Sequence, residues 1–284
     1  MRSAGRLGNQ LFVYSAIEKF KHSGEVLIFV GFSELFDVLP DAKKSIVHIP
    51  ITRKWWWLWD TVESLLRAAS ALRITHLLQL APSGESLQRS PGVTPLTLFD
   101  GGFCQDERLL DQDSVMNLQN SIAAVGSEIL DVAKASWISP PRKIFFVHVR
   151  RGDYVSWPST EYPAALPASW YTNRIQRLSR KFPHSRFLVF SDDTEYCRET
   201  FSNLPQTTIV EAPVKESFFA MSQCDGGIVS ASSLSWWAAF ISKESHGGPF
   251  IAPEYWIGWS ESSWEKSDIK DSSFLEWATV LDQN

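Results

Sequence analysis

The sequence is poor in cysteine, with only Cys104, Cys197 and Cys224 among its 284 residues. The three are far apart in the chain and odd in number, and no CxxC pair is present. No group of Cys and His has the spacing of metal ligands either. Neither a disulfide framework nor a zinc site is therefore expected.

Long apolar runs and secretion signals are also missing. No stretch is long enough to span a bilayer, and no signal peptide or Asn-X-Ser/Thr acceptor is recognisable. The formal charge of −5 and a pI near 5.7 argue against a broad basic face for nucleic acid. We therefore expect a soluble globular protein without a nucleic-acid partner, in which any anion is bound locally.

Neither a GxGxxG dinucleotide fingerprint nor a P-loop occurs in the sequence. The segment GRLGNQLF at 5–12 stands near the beginning instead. Gly5 and Gly8 predict a tight loop that leads into a helix, with Asn9 and Gln10 near its first turn.

The second half of the chain alternates between strand and helix patterns. The run IFFVHV at 144–149 is apolar except for one residue, as expected for a strand buried on both faces of a parallel sheet. Further strands are predicted at 186–190, 208–210, 226–230 and 249–253, and helices from Ser169, around 195–203, over 215–223 and over 234–242. This alternation predicts a doubly wound parallel sheet.

The first half has a less regular pattern. It predicts helices over 9–20 and 58–73, the second with Leu65 and Leu72 on its apolar side, and strands over 26–30, 76–80 and 96–99. The segment ASWISPPRK at 135–143 is the best inter-domain linker. We therefore predict an N-terminal α/β domain over 1–138, a C-terminal Rossmann-like domain over 139–284, and a cleft between them.

The motif HVRRGD at 148–153 follows the buried strand directly. Ligands of open parallel sheets bind beyond the carboxyl ends of the strands, and side chains alternate along a strand, so His148 and Arg150 should point the same way. A planar guanidinium suits a diphosphate because it can donate two charge-assisted hydrogen bonds at once. The alternative is a structural ion pair between Arg150 and Asp153.

Two further predicted strand ends carry polar residues. FSDD at 190–193 places an acid where it would meet a ribose or a base edge, or would cap the next helix. SASSLSWW at 230–237 leads small hydroxyl residues into a helix, whose first N–H groups bind anions readily. A plain N-cap is the alternative for this segment as well.

Tryptophan is abundant, with 13 residues, four of them in WWWLW at Trp55–Trp59. Three interpretations stay open. The residues could form an aromatic cluster packed at a domain edge, or a stacking surface for sugars. They could also make a membrane-surface contact, since Arg53 and Lys54 flank them.

Taken together, the motifs resemble the α1,2-fucosyltransferases of glycosyltransferase family eleven. The resemblance extends from Gly5 to about Trp256. The segments that carry it are, in chain order, GRLGNQLFVYSA, FDGGFCQDERLL, FVHVRRGDYV, YPAALPASWYTNRI, FSDD and MSQCDGGIVSASSLSWWAAFIS.

The resemblance implies a GT-B-like α/β fold of two Rossmann-type domains facing a cleft. It also implies GDP-fucose as the donor, a galactose-terminated glycan as the acceptor, inversion at the anomeric carbon, and neither a metal nor a cofactor. The lack of a DxD motif at a strand end agrees with arginine in place of a cation. Arg150 would neutralise the leaving β-phosphate with His148 nearby. Asp153 and Glu161 are the candidates for the base, although a loose transition state would need little help from one. The implied donor-binding residues are Arg151, Asp192, Ser232, Ser233, Leu234, Gly8 and Asn9.

The sequence departs from the family pattern at three places. Only MRSA precedes the GRLGNQ loop where members have an apolar strand, Ala231 replaces a common Asn, and Leu234 replaces a common aromatic residue. The first departure suggests a truncated start and keeps a GDP-sugar- or glycan-binding pseudoenzyme as an alternative, beside a fucosyltransferase of another linkage. A bacterial member would be cytoplasmic, and a truncated eukaryotic one would belong to the Golgi membrane or lumen.

Overall fold

The computed structural model describes residues 5–281 except 51–55, 82–83, 126, 138, 158, 161–162, 205 and 254–278. The chain divides into two compact units, Met1–Ala123 and Ala124–Asn284. This division lies before the boundary predicted after residue 138, because helix Glu128–Ser136 packs against helix Val214–Ser222 of the second unit. The α/β class of the predicted GT-B-like fold is confirmed.

The first unit combines helices with two small sheets. Its helices are α1 (Leu7–Phe20), α2 (Ser33–Val38), α3 (Trp56–Ala71) and α4 (Gln112–Val125), which crosses the division. Its strands are β1 (Leu27–Val30), β2 (Ile46–Ile49), β3 (His76–Leu80), β4 (Leu87–Ser90) and β5 (Thr97–Asp100). The β1 and β2 strands pair in parallel, whereas β3 lies between antiparallel β4 and parallel β5.

The second unit is a single sheet with helices between its strands. Its helices are α5 (Glu128–Ser136), α6 (Ala168–Lys181), α7 (Thr194–Phe201), α8 (Val214–Ser222) and α9 (Ser233–His246). Its strands are β6 (Lys143–Val149), β7 (Ser185–Ser191), β8 (Thr207–Val210), β9 (Gly226–Ile228), β10 (Phe250–Pro253) and β11 (Thr279–Leu281).

The strand order of this sheet is β11-β10-β9-β6-β7-β8, and every neighbouring pair is parallel. The chain runs outward from β6 to β8, crosses back to β9 on the other side of β6, and runs outward again. The predicted doubly wound sheet is thereby confirmed. The direction of winding reverses between β6 and β9, and this reversal opens the crevice in which such sheets bind ligands.

The core of the second unit explains why β6 lies at the centre of the sheet. All of its residues after Lys143 are buried, and Val147 and Val149 belong to a cluster that includes Tyr171 and Ile175 of α6. Helix α6 begins at Ala168, directly after Pro167, so the predicted N-cap Ser169 lies inside the helix. No helix among the described residues is both long and apolar enough to cross a bilayer.

Candidate active site

The carboxyl end of β6 is tied to the turn that follows β9. His148 is buried, and its Nδ1 lies 2.6 Å from Oγ of Ser230. The Ser230 hydroxyl in turn lies 3.3 Å from Oγ of Ser235 in α9. This chain of polar contacts fixes the imidazole, so His148 connects the arginine motif to the first turn of α9.

Arg150 lies between two carboxylates. Its Nη1 donates to Oδ2 of Asp192 at 2.5 Å, its Nη2 donates to Asp153, and its guanidinium carbon lies 5.2 Å from the ring centroid of Tyr154. The predicted ion pair with Asp153 is thus present, together with a second one. These two bonds use two of the five N–H groups of the guanidinium, and the remaining N–H groups can donate hydrogen bonds to an anion.

Arg151 turns toward α7. Its backbone N–H donates to Oδ1 of Asp192 at 2.9 Å, and its Nε donates to Oδ2 of Asp193 at 3.0 Å. Its guanidinium carbon lies 3.5 Å from the ring centroid of Tyr196. Asp193 also accepts a hydrogen bond from the backbone N–H of Tyr196. This bond lowers the pKa of the Asp193 carboxyl, and the hydrogen bond from Arg151 lowers it further to a smaller extent. Asp193 therefore caps α7, as one of the two interpretations of FSDD predicted.

Asp192 holds the turn of the arginine motif from one side. Its two oxygens accept hydrogen bonds from the side chain of Arg150 and the backbone of Arg151. Gly152 has a φ of +24°, and a Cβ at this position would lie 2.5 Å from Oδ2 of Asp192. A side chain at residue 152 would therefore displace the carboxylate that positions both arginines. The predicted contact of Asp192 with the nucleoside stays a prediction.

The first turn of α9 lies on the other side of the motif. Ser232 occupies the N-cap position, and within the described part of the chain its hydroxyl makes no capping hydrogen bond. The first N–H groups of a helix have no intrahelical partners, so this end can receive an anion. The Tyr154 hydroxyl, whose pKa is raised by burial, donates to the carbonyl oxygen of Ala231 at 2.9 Å. This bond holds the α9 turn beside the motif, with Ser233 and Leu234 half-buried in the first turn.

A comparison with known families gives this geometry a context. Residues 99–280 match the sequence model of glycosyl transferase family 11. The chain belongs to glycosyl transferase family 11. The predicted family is thus confirmed, and the matched region includes the entire arginine motif and the α9 turn.

Curated relatives of this family 11 chain include three transferases. The O-antigen biosynthesis glycosyltransferase WbnK of Escherichia coli is 29% identical over 41% of the chain and 40% of its own length. An alpha-1,2-colitosyltransferase of Escherichia coli is 35% identical over 39% of the chain and 40% of its length. The galactoside 2-alpha-L-fucosyltransferase SEC1 of Bos taurus is 27% identical over 38% of the chain and 31% of its own length. Each match thus spans less than half of the relative's length.

Two solved structures are similar to the family 11 chain at low identity. Fucosyltransferase NodZ from Bradyrhizobium has a TM-score of 0.44 and 13% identity, over 84% of this chain and 90% of its own. A glycosyl transferase of family 9 from Veillonella parvula has a TM-score of 0.48 and 12% identity, over 99% of this chain and 84% of its own.

The GRLGNQ segment of the family 11 chain forms the predicted loop and helix start. Gly5 has a φ of +92°, and α1 begins two residues later, with Gly8 in its first turn. The side chain of Asn9 accepts a hydrogen bond from Nε2 of Gln105 at 2.7 Å, which joins two of the segments that carry the family resemblance. Both residues lie in the first unit, and the predicted contact of Gly8 and Asn9 with the donor stays a prediction.

Three residues that structure the site were not singled out from the sequence. Tyr154 and Ser230 hold the α9 turn against β6, and Tyr196 stacks on Arg151. Tyr196 stands three residues after the predicted cap Asp193, which places the two on the same face of the first helical turn. Ser230 is the first residue of SASSLSWW, so the sequence carried a signal for both. Two of the sites predicted from the sequence, Glu161 and Trp55, lie outside the described residues. Among those described, no group of three His, Cys, Asp or Glu could hold a metal ion.

Proposed function

We propose that this family 11 chain transfers L-fucose from GDP-fucose to a hydroxyl of a galactoside, with inversion and with formation of an α1,2 linkage. The observation that supports the donor assignment best is the position of Arg150. It stands at the strand end where the winding of the sheet reverses, beside the first turn of α9. A guanidinium and a helix N-terminus at such a point suit the diphosphate of a nucleotide sugar.

In the proposed reaction, an acceptor oxygen attacks the anomeric carbon of fucose while the bond to the β-phosphate oxygen breaks. Arg150 and the N–H groups at the start of α9 stabilise the negative charge that develops on the departing GDP. The acceptor hydroxyl loses its proton to a base, for which the exposed carboxylate of Asp153 is the described candidate. No step requires a metal ion, because fixed N–H donors supply the positive potential.

One relative supports a second donor sugar. The alpha-1,2-colitosyltransferase is 35% identical over its matched region, more than the fucosyltransferase SEC1 at 27%. A colitosyl donor on the same nucleotide-binding framework is therefore the second candidate. A pseudoenzyme that binds a GDP-sugar without turnover is the third.

The deciding experiment is a screen of nucleotide-sugar donors and galactoside acceptors, with linkage analysis of the product. Fucose on O2 of galactose would support the proposal, and transfer from a colitose donor alone would favour the second candidate. GDP binding in calorimetry without any transfer or donor hydrolysis would favour the pseudoenzyme.

A separate prediction concerns metal ions. Transfer should persist in excess EDTA at an unchanged rate, since the guanidinium of Arg150 takes the place of a cation. Loss of activity that Mn²⁺ or Mg²⁺ restores would contradict the metal-independent mechanism.

A further inference from the structure

The first unit contains a groove of about 180 Å³ that the donor site does not use. One wall is a face of α3, with Trp59, Val62, Glu63 and Arg67 at helical spacing. The opposite wall is the carboxyl end of β5, where Asp100 is followed by two glycines. All lining residues belong to the first unit, so the groove is defined by this unit alone.

The groove joins an aromatic ring to a fixed polar cluster. Arg67 donates from Nη2 to Oδ1 of Asp100 at 2.9 Å and to Oε1 of Glu63 at 2.8 Å, and its Nη1 donates to the other oxygen of Asp100. The two bonds from Arg67 use two of the roughly four acceptor positions on the Asp100 carboxylate. The carboxylate is therefore held in place and can still accept hydrogen bonds from a ligand.

Trp59 is the largest apolar residue that lines the groove. Its side chain is half-buried in the groove, whereas its neighbour Trp57 on the same helix is 62% exposed and does not line it. An indole face packs against the apolar C–H face of a sugar ring, and a fixed carboxylate accepts hydrogen bonds from its hydroxyls. Few polar groups beside an apolar surface are the usual composition of a small-ligand site.

We propose that this groove binds one sugar ring of the glycan acceptor. The proposal rests on the proposed transferase function and adds to it a place for the acceptor. The volume is below the roughly 300–1,000 Å³ of sites for drug-sized ligands, so it suits a single ring rather than an oligosaccharide. Arg67 compensates one of the two negative charges of Asp100 and Glu63 and holds both carboxylates in place, so their remaining lone pairs can accept hydrogen bonds from the hydroxyls of a neutral sugar.

The test compares Trp59 with Trp57, two residues before it on the same helix. Binding of methyl β-galactoside to the full chain, without donor, is measured by saturation-transfer NMR for wild type, Trp59→Ala and Trp57→Ala. We expect at least tenfold weaker binding for Trp59→Ala and no change for Trp57→Ala. A third variant, Val62→Trp, fills the groove from its rim without opening the core and should also abolish binding.

A GDP titration and an unfolding midpoint on every variant separate the possible failures. Galactoside binding that survives in both Trp59→Ala and Val62→Trp overturns the subsite, as does an equal loss in Trp57→Ala. Wild type that binds GDP and no galactoside overturns the subsite and leaves the donor assignment standing. Wild type that binds galactoside through Trp59 and no GDP leaves the subsite standing and contradicts the proposed function.

Discussion

The two flanks of the arginine motif differ in charge. On the β7 side, Asp192 and Asp193 bind Arg150 and Arg151 through ion pairs. On the β9 side, the motif faces neutral hydroxyls and the backbone N–H groups at the start of α9, and Tyr154 and His148 contact Ala231 and Ser230 there through hydrogen bonds. One flank therefore positions the arginines, and the other is open to an anion.

This difference decides where a diphosphate would bind. Carboxylates repel phosphate at short range, whereas a helix N-terminus carries a partial positive charge and unpaired donors. A diphosphate should therefore lie on the α9 side and reach Arg150 from there. The comparison predicts that substitutions on the two flanks have different consequences, one for donor binding and one for stability.

The largest effect is expected for Arg150. Arg150→Ala should lower the transfer rate by about 10²–10³, as is typical of losing a major donor to the transition-state charge. Arg150→Lys should also lose most activity, because a single ammonium cannot replace the planar fork. Steady-state kinetics with GDP-fucose measures both.

The matched control is Arg151→Ala, on the next residue. The guanidinium of Arg151 is bound by Asp193 and Tyr196 at the start of α7. In contrast to the donor contact that the family resemblance implies, its loss should therefore reduce transfer much less than the loss of Arg150. Equal damage by the two substitutions would contradict the division into a positioning flank and an anion-binding flank.

An intermediate effect is expected on the α9 flank. Hydrogen bonds to charged groups contribute about 1.5–3 kcal/mol, so Ser233→Ala should weaken GDP binding roughly tenfold to a hundredfold, measured by calorimetry. The unfolding midpoint should stay near that of wild type. A lower midpoint with intact GDP affinity would give Ser233 a purely structural role in the first turn of α9.

The smallest effect is expected on the β7 flank. Asp193→Ala removes the cap of α7 and should lower the free energy of unfolding by about 1 kcal/mol, with GDP affinity nearly unchanged. Because the folded-state pKa of Asp193 is depressed, its contribution is complete above the unfolded pKa and is lost as pH falls through the folded pKa. Denaturant unfolding at neutral and acidic pH should therefore show wild type and variant converging in acid, and a constant gap would disprove the assignment.

The elements of the second unit were predictable because their patterns are strong. An almost wholly apolar strand such as β6 can only be buried on both faces, and α6 shows its buried positions Tyr171, Ile175 and Leu178 at helical spacing. The start of α6 was predicted two residues late, because Ser169 is a favourable N-cap residue whereas the helix follows Pro167 directly. The first unit was harder: Leu65 is 65% exposed on α3, and Leu72, which was predicted inside this helix, lies one residue beyond it and is 73% exposed. Periodicity identifies the apolar face of a helix, but it does not show whether another element packs against that face.

The candidate site likewise contains residues that local sequence patterns predict and residues that only the tertiary structure reveals. Arg150, Ser232 and Ser233 could be proposed from the sequence because they follow predicted strands, and ligands of open parallel sheets bind beyond such strand ends. The role of Asp192 was not recognisable, since its contacts to Arg150 and to the backbone of Arg151 join residues about forty positions apart in the chain. The groove at Trp59 combines α3 with β5 and was likewise outside the reach of local patterns.

The sequence by itself determined the family, the alternation of strands and helices, and the residues at the ends of the strands, because each is encoded in local spacing. Only the tertiary structure decided which strand ends are neighbours. The crossing from β8 to β9 brings the α9 turn beside Arg150, and the pairing of β6 with β7 brings Asp192 to its other side. Charge acts through space over a few ångströms, so the difference between the two flanks exists only once the sheet has formed.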